Sequence, residues 1–349
     1  VSSIEIMVSD CTESDIIAED VVNPNGLTVL VRGAVITDYI KKRLTEMGIE
    51  KVTVYNSMDN YDNFVNNTSY QDCKQQYKET VLLIKNIIDG LLRGEQLQYN
   101  GIVNAANKIL GLKNDKRNVI NYLNKIRSAD EYTYTHCVDV AFYSMLIGAW
   151  LNLPDEEINE VIQAGLLHDI GKVKIPNKIL NKKGKLTTEE FNIIKKHTIL
   201  GHEILSKMDD ISDGVKNAVI FHHERMDGTG YPFGMSATFI DLYSKIVAIA
   251  DVFDAMTSDR VYRKRKTPFD VFEMFKTVGV RIFDSTILNT FIKKISPYYI
   301  GANVMLNNGE RGRIVYIPPR DVLSPIIEIQ SDYLDLSIQN NVEILSIGG

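Results

Sequence analysis

The sequence has 349 residues, 44% of them hydrophobic and 24% charged, with a formal net charge of -6, an ordinary soluble composition on a chain long enough for two or three domains. The acidic balance argues against a nucleic-acid polymer as partner. No run approaches eighteen apolar residues and no basic start precedes an apolar block, so neither membrane insertion nor export is expected and the predicted location is the cytoplasm.

In chain order, NPNGLTVLVRG joins an Asn25-Gly26 turn signal to alternating Leu27, Val29 and Val31, which predicts a hairpin. Thr37 is placed to cap a helix through TDYIKKRLTEM, Gly48 to stop it, and KVTVY reads as a strand. Residues 1–70 thus read as a small α/β module, with the polar stretch NSMDNYDNFVNNTSYQD as the candidate linker. Residues 71–300 read as helical almost throughout, with Ile84, Ile87, Ile88 and Leu91 on one stripe and Val138, Ala141, Phe142, Met145 and Ala149 on another. FNIIKKHTILGHEILSKM reads as an amphipathic segment with His197 in mid-helix. After Gly301, VML and RGRIVYI flank Asn308-Gly309, and PIIEIQ and VEILSI follow, so residues 301–349 read as a short β-rich tail. The expected fold class is mainly α, a helical bundle between a small α/β module and the tail.

Chemistry concentrates in the helical part. The six histidines, His136, His168, His197, His202, His222 and His223, all fall between residues 136 and 223. Any one alone reads as a hydrogen-bonded core imidazole, but their confinement points to a shared site. In GLLHDIGK a carboxylate, Asp169, enters an apolar run, which is costly unless something compensates it. His136, the pair His168-Asp169, His197, the pair His222-His223 and Asp251 fall on separate helical segments, as expected when facing helices build a metal site in their shared core. Adjacent helical residues point about 100° apart, so His168 and Asp169 are expected to serve two cations, with the carboxylate bridging them. Five imidazoles and two carboxylates suit iron, manganese or zinc better than magnesium. The cysteines Cys11, Cys73 and Cys137 are widely spaced without a CxxC and read as plain thiols.

The match becomes specific in HDIGK, His197 with Gly201, HHERMDGTGYP and IADVFDAMTSDRVYR. These motifs, over roughly residues 130 to 290, resemble the HD-GYP family of the HD phosphohydrolase superfamily. The resemblance implies an HD-type bundle that hydrolyses the bacterial second messenger cyclic di-GMP to linear pGpG, with the final product pGpG or GMP, and with a hydroxide bridging two metal ions as nucleophile. It carries the metal ligands onto His136, His168, Asp169, His197, His222, His223 and Asp251, with Asp169 the bridge and Lys172 beside it in catalysis. Lys172, Arg260 and Arg263 fall on phosphate-contacting positions, and Gly230, Tyr231 and Pro232 form the loop that shapes the substrate site. The implied cofactors are two divalent transition-metal ions, iron or manganese. Tyr132 stands where some members place a glutamate for a third metal, so two are expected, and His202 lies outside the ligand set. Alternatives in the same frame are another cyclic dinucleotide such as cyclic GMP-AMP, or a slow-turnover, metal-containing sensor of cyclic di-GMP. By family analogy the N-terminal module is regulatory, pairing with a second copy or a signalling protein.

Overall fold

Strand β1 (Ser3–Met7), the hairpin β2 (Val21–Val22) and β3 (Thr28–Leu30), helix α1 (Asp38–Glu46) and strand β4 (Lys51–Tyr55) form the N-terminal module in the computed structural model. The described residues are 3–13, 15–55, 68–126, 132–258, 265–330, 332–339 and 341–348. Gly26, with φ 76°, turns the hairpin, and the Thr37 side chain accepts the Ile40 N–H to cap α1. β4 buries alternate residues Val52 and Val54 and pairs antiparallel with β1, a strand that polar flanks obscure in the sequence.

Of the expected linker, residues 56–67 lie outside the described residues, but the last five, TSYQD, are helical: α2 spans Thr68–Leu92. The buried series Cys73, Tyr77, Thr80 and Ile84 gives that helix a stripe reaching further back than its polar composition suggests. There follow α3 (Tyr99–Leu110), α4 (Lys116–Ile126), α5 (Tyr132–Trp150) and α6 (Asp155–Leu167). Then come α7 (Thr188–Lys195), α8 (His197–Leu205), α9 (Asp213–Phe221), α10 (Leu242–Thr257), α11 (Pro268–Met274) and α12 (Ser285–Ile295). No helix of the described residues is long and apolar enough to cross a membrane.

α5 is the central helix. Val138, Val140, Ala141, Phe142, Tyr143, Met145, Leu146 and Ile147 are all buried, so it is apolar on every side and packs against α2, α6, α10 and α12. Its approach to α6 depends on Gly165, where a Cβ would stand 2.7 Å from the Ala141 Cα. This close pair brings His136 on α5 and His168 at the end of α6 to one place.

The segment carrying His197 departs from expectation. It is two helices, and His197 is the first residue of α8 rather than a mid-helix residue. The break has a local cause: the Ile194 carbonyl accepts the His197 ring Nδ1–H at 2.8 Å, and the Lys195 carbonyl accepts the Thr198 hydroxyl at 3.1 Å. Side chains have taken acceptors at the end of α7.

The tail is a five-stranded antiparallel sheet, β5 (Asn303–Leu306), β6 (Arg311–Tyr316), β7 (Ile326–Ile329), β8 (Asp332–Asp335) and β9 (Ile344–Gly348), in the order β8-β7-β6-β5-β9. β8 is an edge strand that the sequence does not announce. Tyr39 of α1 lies 4.9 Å from Tyr333 and 6.1 Å from Tyr316, ring to ring. One apolar core links Leu30 and Ile40, the bundle, and Val304, Leu306 and Ile314 of the sheet.

Candidate metal centre

Five segments converge. α5 supplies His136, the end of α6 supplies His168 and Asp169, the start of α8 supplies His197, the end of α9 supplies His222 and His223, and α10 supplies Asp251. All are buried except His223, which is partly so. Three sets of ligand atoms each lie within 4.8 Å of one another: His136, His168 and Asp251; His168, Asp169 and His222; and His197, His222 and His223. The sets share His168 and His222, so all seven residues belong to one continuous cluster.

One geometric expectation is corrected here. His168 and Asp169 do reach a common point, with His168 Nε2 at 3.3 Å from Asp169 Oδ2. The chain leaves the α-helix between them: Asp169, at φ -100° and ψ 7°, begins a 3-10 turn, so the helical angle between neighbours does not apply. Asp169 also reaches across the cluster, its Oδ1 lying 3.3 Å from His197 Nε2.

The ring tautomers are fixed by what their other nitrogens touch. Nδ1 of His168 lies 2.8 Å from the Gly165 carbonyl, Nδ1 of His197 2.8 Å from the Ile194 carbonyl, and Nδ1 of His222 3.0 Å from the Val219 carbonyl. A carbonyl only accepts, so each Nδ1 carries a proton and the nitrogen that each ring turns inward is Nε2. His197 Nε2 and His222 Nε2 then face each other at 3.5 Å with no proton between them. His168 Nε2 and Asp169 Oδ1 are buried without a hydrogen-bond partner. Facing lone pairs and orphaned acceptors fit a donor set made for cations.

Electrostatics agree. Burial, reinforced by neighbouring imidazoles, holds His222 well below the usual value; burial also carries His223 well below it and His197 below it, each against the pull of a nearby aspartate, so all three are neutral at pH 7. Burial pushes Asp169 up, but the Lys172 ammonium beside Oδ2 outweighs it and keeps it well below the carboxylate range. Burial likewise raises Asp251 and is outweighed by the hydrogen bond from His136, which keeps it well below the carboxylate range. His136 is the exception. Burial lowers it, yet hydrogen bonds to Asp251 and Asp254 lift it to about 10, so it holds a proton that a cation would displace.

Two residues that sequence reasoning passed over complete the arrangement. Asp254, 2% exposed, accepts the His136 Nδ1–H at 2.7 Å and the Ser258 hydroxyl at 2.8 Å. Its signal was available, because it is a second carboxylate in the apolar stretch VFDAM. Glu224, also 2% exposed, accepts the N–H groups of Phe233 at 2.7 Å and Met235 at 2.9 Å, pinning the loop that carries Gly230-Tyr231-Pro232. Gly230 is required there, since a Cβ would lie 2.4 Å from the Glu224 Cα. The Tyr231 N–H donates to the His223 carbonyl at 3.1 Å and its ring stacks on His223 with centroids 4.6 Å apart. The loop thus forms one wall of the cluster.

Lys172 donates to Asp169 Oδ2 at 2.5 Å while its side chain stays 28% exposed, between the cluster and solvent. Gly171 lets the 3-10 turn lie against α8, where a Cβ would be 1.9 Å from the His197 carbonyl oxygen. His202 is outside the cluster, its Nδ1 3.2 Å from the Ser206 hydroxyl. Arg260, Arg263 and the side chain of Tyr132 lie outside the described residues. The three cysteines are buried free thiols.

Helices that deliver imidazoles and carboxylates to one buried point define a metal-binding bundle protein. A family profile described as "HD domain" matches residues 107–287, and the chain belongs to this family, in its HD-GYP branch. Among curated proteins it is 37% identical over 212 residues to a cyclic di-GMP phosphodiesterase of Pseudomonas aeruginosa, covering 61% of this chain and 51% of that one. It is 37% identical over 177 residues to a cyclic di-GMP phosphodiesterase of Thermotoga maritima, covering 50% and 47%. A 3'3'-cGAMP-specific phosphodiesterase of Vibrio cholerae is 33% identical over 179 residues, covering 51% and 34%. The chain spans about half the length of the Pseudomonas and Thermotoga relatives. Among solved structures, an HDG"Y"P protein from Bdellovibrio bacteriovorus has the same fold at 17% identity and a TM-score of 0.51, covering 83% of this chain and 98% of that one.

Proposed function

We propose that the protein is a metal-dependent phosphodiesterase that hydrolyses cyclic di-GMP to linear pGpG and then GMP. The observation that carries the reading is the buried cluster of bare Nε2 atoms and unpartnered carboxylate oxygen around Asp169; the names of the Pseudomonas and Thermotoga relatives supply the substrate. The cluster suits two divalent transition metals, iron or manganese: His136, His168 and Asp251 would hold one and His197, His222 and His223 the other, and Asp169, which lies within reach of His168 and His197, would serve both. Such cations, when bound, polarise a phosphoryl oxygen and acidify water.

This chain's own residues do the rest. Asp169 stays ionised and oriented because Lys172 holds Oδ2. The exposed flank of the Lys172 ammonium meets a phosphate oxygen, and Arg260 and Arg263 contact the phosphates from the following segment. The Tyr231 ring, braced by His223 and by the Lys195 ammonium 5.8 Å from its centroid, offers a face to a guanine. The hydrolase, residues 71–300, lies between the N-terminal module, residues 1–70, and the β-rich tail, 301–349, and the module is the regulatory part, offering a surface to a second copy or a signalling protein.

A second reading, hydrolysis of 3'3'-cGAMP, is favoured by three Vibrio cholerae relatives with that name at 33–39% identity. Anaerobically purified protein with its metal content measured, incubated with each dinucleotide and followed by chromatography, separates the two. Metal-replete protein that cleaves neither over hours, or turnover unchanged after chelation, overturns the proposal.

A further inference from the structure

α7 gives no buried residue to the core, yet it is fixed at its start by the reciprocal cap between Thr187 and Glu190 and at its end by the bond from the His197 ring to the Ile194 carbonyl. Phe191 and Lys195, four residues apart, share one face of it. Phe191 is 46% exposed, so packing does not account for it. Its ring stands at 79° to that of Tyr231, with centroids 6.4 Å apart, and the two rings form a corner. The Lys195 ammonium closes that corner, 5.2 Å from the Phe191 centroid and 5.8 Å from that of Tyr231. Lys172 and Lys182 are each held by a carboxylate. The contacts of the Lys195 ammonium are ring faces, and among the described residues no carboxylate pairs with it.

The corner adjoins the metal cluster through Tyr231, whose ring is 4.6 Å from that of His223 and 6.4 Å from that of His197. A nucleotide with its phosphate at the cluster carries its base one sugar away, on the side where this corner lies. A planar base laid parallel to Tyr231 stands nearly perpendicular to Phe191, with its edge toward the ammonium. An ammonium has three donors and no acceptor. Guanine presents two acceptors, N7 and O6, on one edge, whereas adenine presents N7 beside an amino donor. Lys195 therefore attracts the first edge and leaves the adenine amino group facing a donor.

We infer that Phe191 and Lys195 select the purine of the substrate, Phe191 by packing against the base and Lys195 by donating to O6 and N7 of a guanine. This rests on the phosphodiesterase reading and goes beyond it, because it assigns the choice of guanine over adenine to residues outside both the metal cluster and the Gly-Tyr-Pro loop.

Steady-state kinetics of metal-replete protein on cyclic di-GMP, cyclic di-IMP and cyclic di-AMP test this; the inosine compound keeps O6 and N7 but lacks the 2-amino group. KM is compared, or Ki against cyclic di-GMP turnover for a compound that is not cut. Wild type should favour the guanine and inosine compounds over cyclic di-AMP by about tenfold or more. Lys195→Met should raise KM for those two by about tenfold with no rise for cyclic di-AMP, and Lys195→Gln, whose amide oxygen accepts the adenine amino group, should narrow the preference in the same way. Phe191→Ala should weaken all three alike, by about fivefold or more. Metal content and melting temperature should match wild type in each variant. An equal loss on all three compounds in Lys195→Met would put the ammonium on a phosphate and overturn the inference, as would unchanged selectivity in both lysine variants or an unchanged KM in Phe191→Ala. Wild type that does not cut cyclic di-GMP overturns the phosphodiesterase reading and this inference with it, whereas turnover with selectivity indifferent to Lys195 overturns this inference alone.

Discussion

Asp254→Asn isolates the orientation of one candidate ligand from its presence. The Asp254 carboxylate is 2% exposed and receives the His136 Nδ1–H at 2.7 Å. Asparagine keeps an oxygen acceptor of nearly the same shape but no charge. A hydrogen bond to a charged group contributes about 1.5–3 kcal/mol and a neutral one about 0.5–1.5, so the substitution weakens the hold on His136 by about 1–1.5 kcal/mol. That corresponds to about a tenfold loss in affinity, near the lower end of what outer-shell changes cost metal sites. The loss should be selective, because His136 groups with His168 and Asp251 while His197, His222 and His223 form a separate set. Titration against chelators of graded affinity, with elemental analysis at each step, should show one metal equivalent released first and the other retained. An Asn variant that keeps both equivalents at wild-type affinity, or releases both together, refutes the reasoning.

Gly171→Ala places a methyl 1.9 Å from the His197 carbonyl oxygen and 2.4 Å from the Gly201 nitrogen, backbone that cannot yield; a loss of about 3 kcal/mol or more is expected in denaturant unfolding, and a wild-type midpoint would contradict it. Glu224→Ala frees two N–H groups of the Gly-Tyr-Pro loop, so KM should rise with metal content intact; metal loss at unchanged KM would assign the residue to the centre instead. The chelated protein should lose stability as pH falls from 7 to 5.5: His197, His222 and His223 have depressed folded values, so below about 6.5 the unfolded chain takes up protons that the folded one refuses. His136, raised to about 10, has the opposite sign, its contribution already complete below about 6.5 and lost only as pH rises toward 10; a urea midpoint that is flat or rises on acidification would contradict the assignment. His202→Ala should leave metal stoichiometry unchanged by elemental analysis.

Much of the bundle was legible because its helices carry regular apolar stripes, and the cluster because its histidines are confined to one part of the chain. What stayed hidden depends on contacts distant in sequence. β1 pairs with a strand more than forty residues later, and β8, reading DYLD, is an edge strand whose exposed residues need no alternation. The break before His197 was hidden for a different reason. Its cause is a histidine ring bonding to Ile194, and apolar periodicity carries no mark of side chains that compete for backbone acceptors. Glu224 stood next to the His222-His223 pair in the sequence, but its role became visible only when the loop folded back onto it.

Four of the five candidate imidazoles sit at helix ends, and for His168, His197 and His222 this placement explains both how they are aimed and why the dipeptides work. The last carbonyls of a helix lack intrahelical N–H partners. His168 and His197 each give a ring N–H to the carbonyl three residues back, and His222 gives one to Val219 in the same way. One bond satisfies the orphan acceptor, fixes the tautomer and turns Nε2 toward the centre. At such an end the chain is also free to change direction, which lets Asp169 swing beside His168 into the same cluster. His136 sits inside α5, where the carbonyls are already committed to the helix, so it cannot use this device and depends on a carboxylate from α10. The vulnerability of the centre to Asp254→Asn therefore follows from where along its helix each histidine falls.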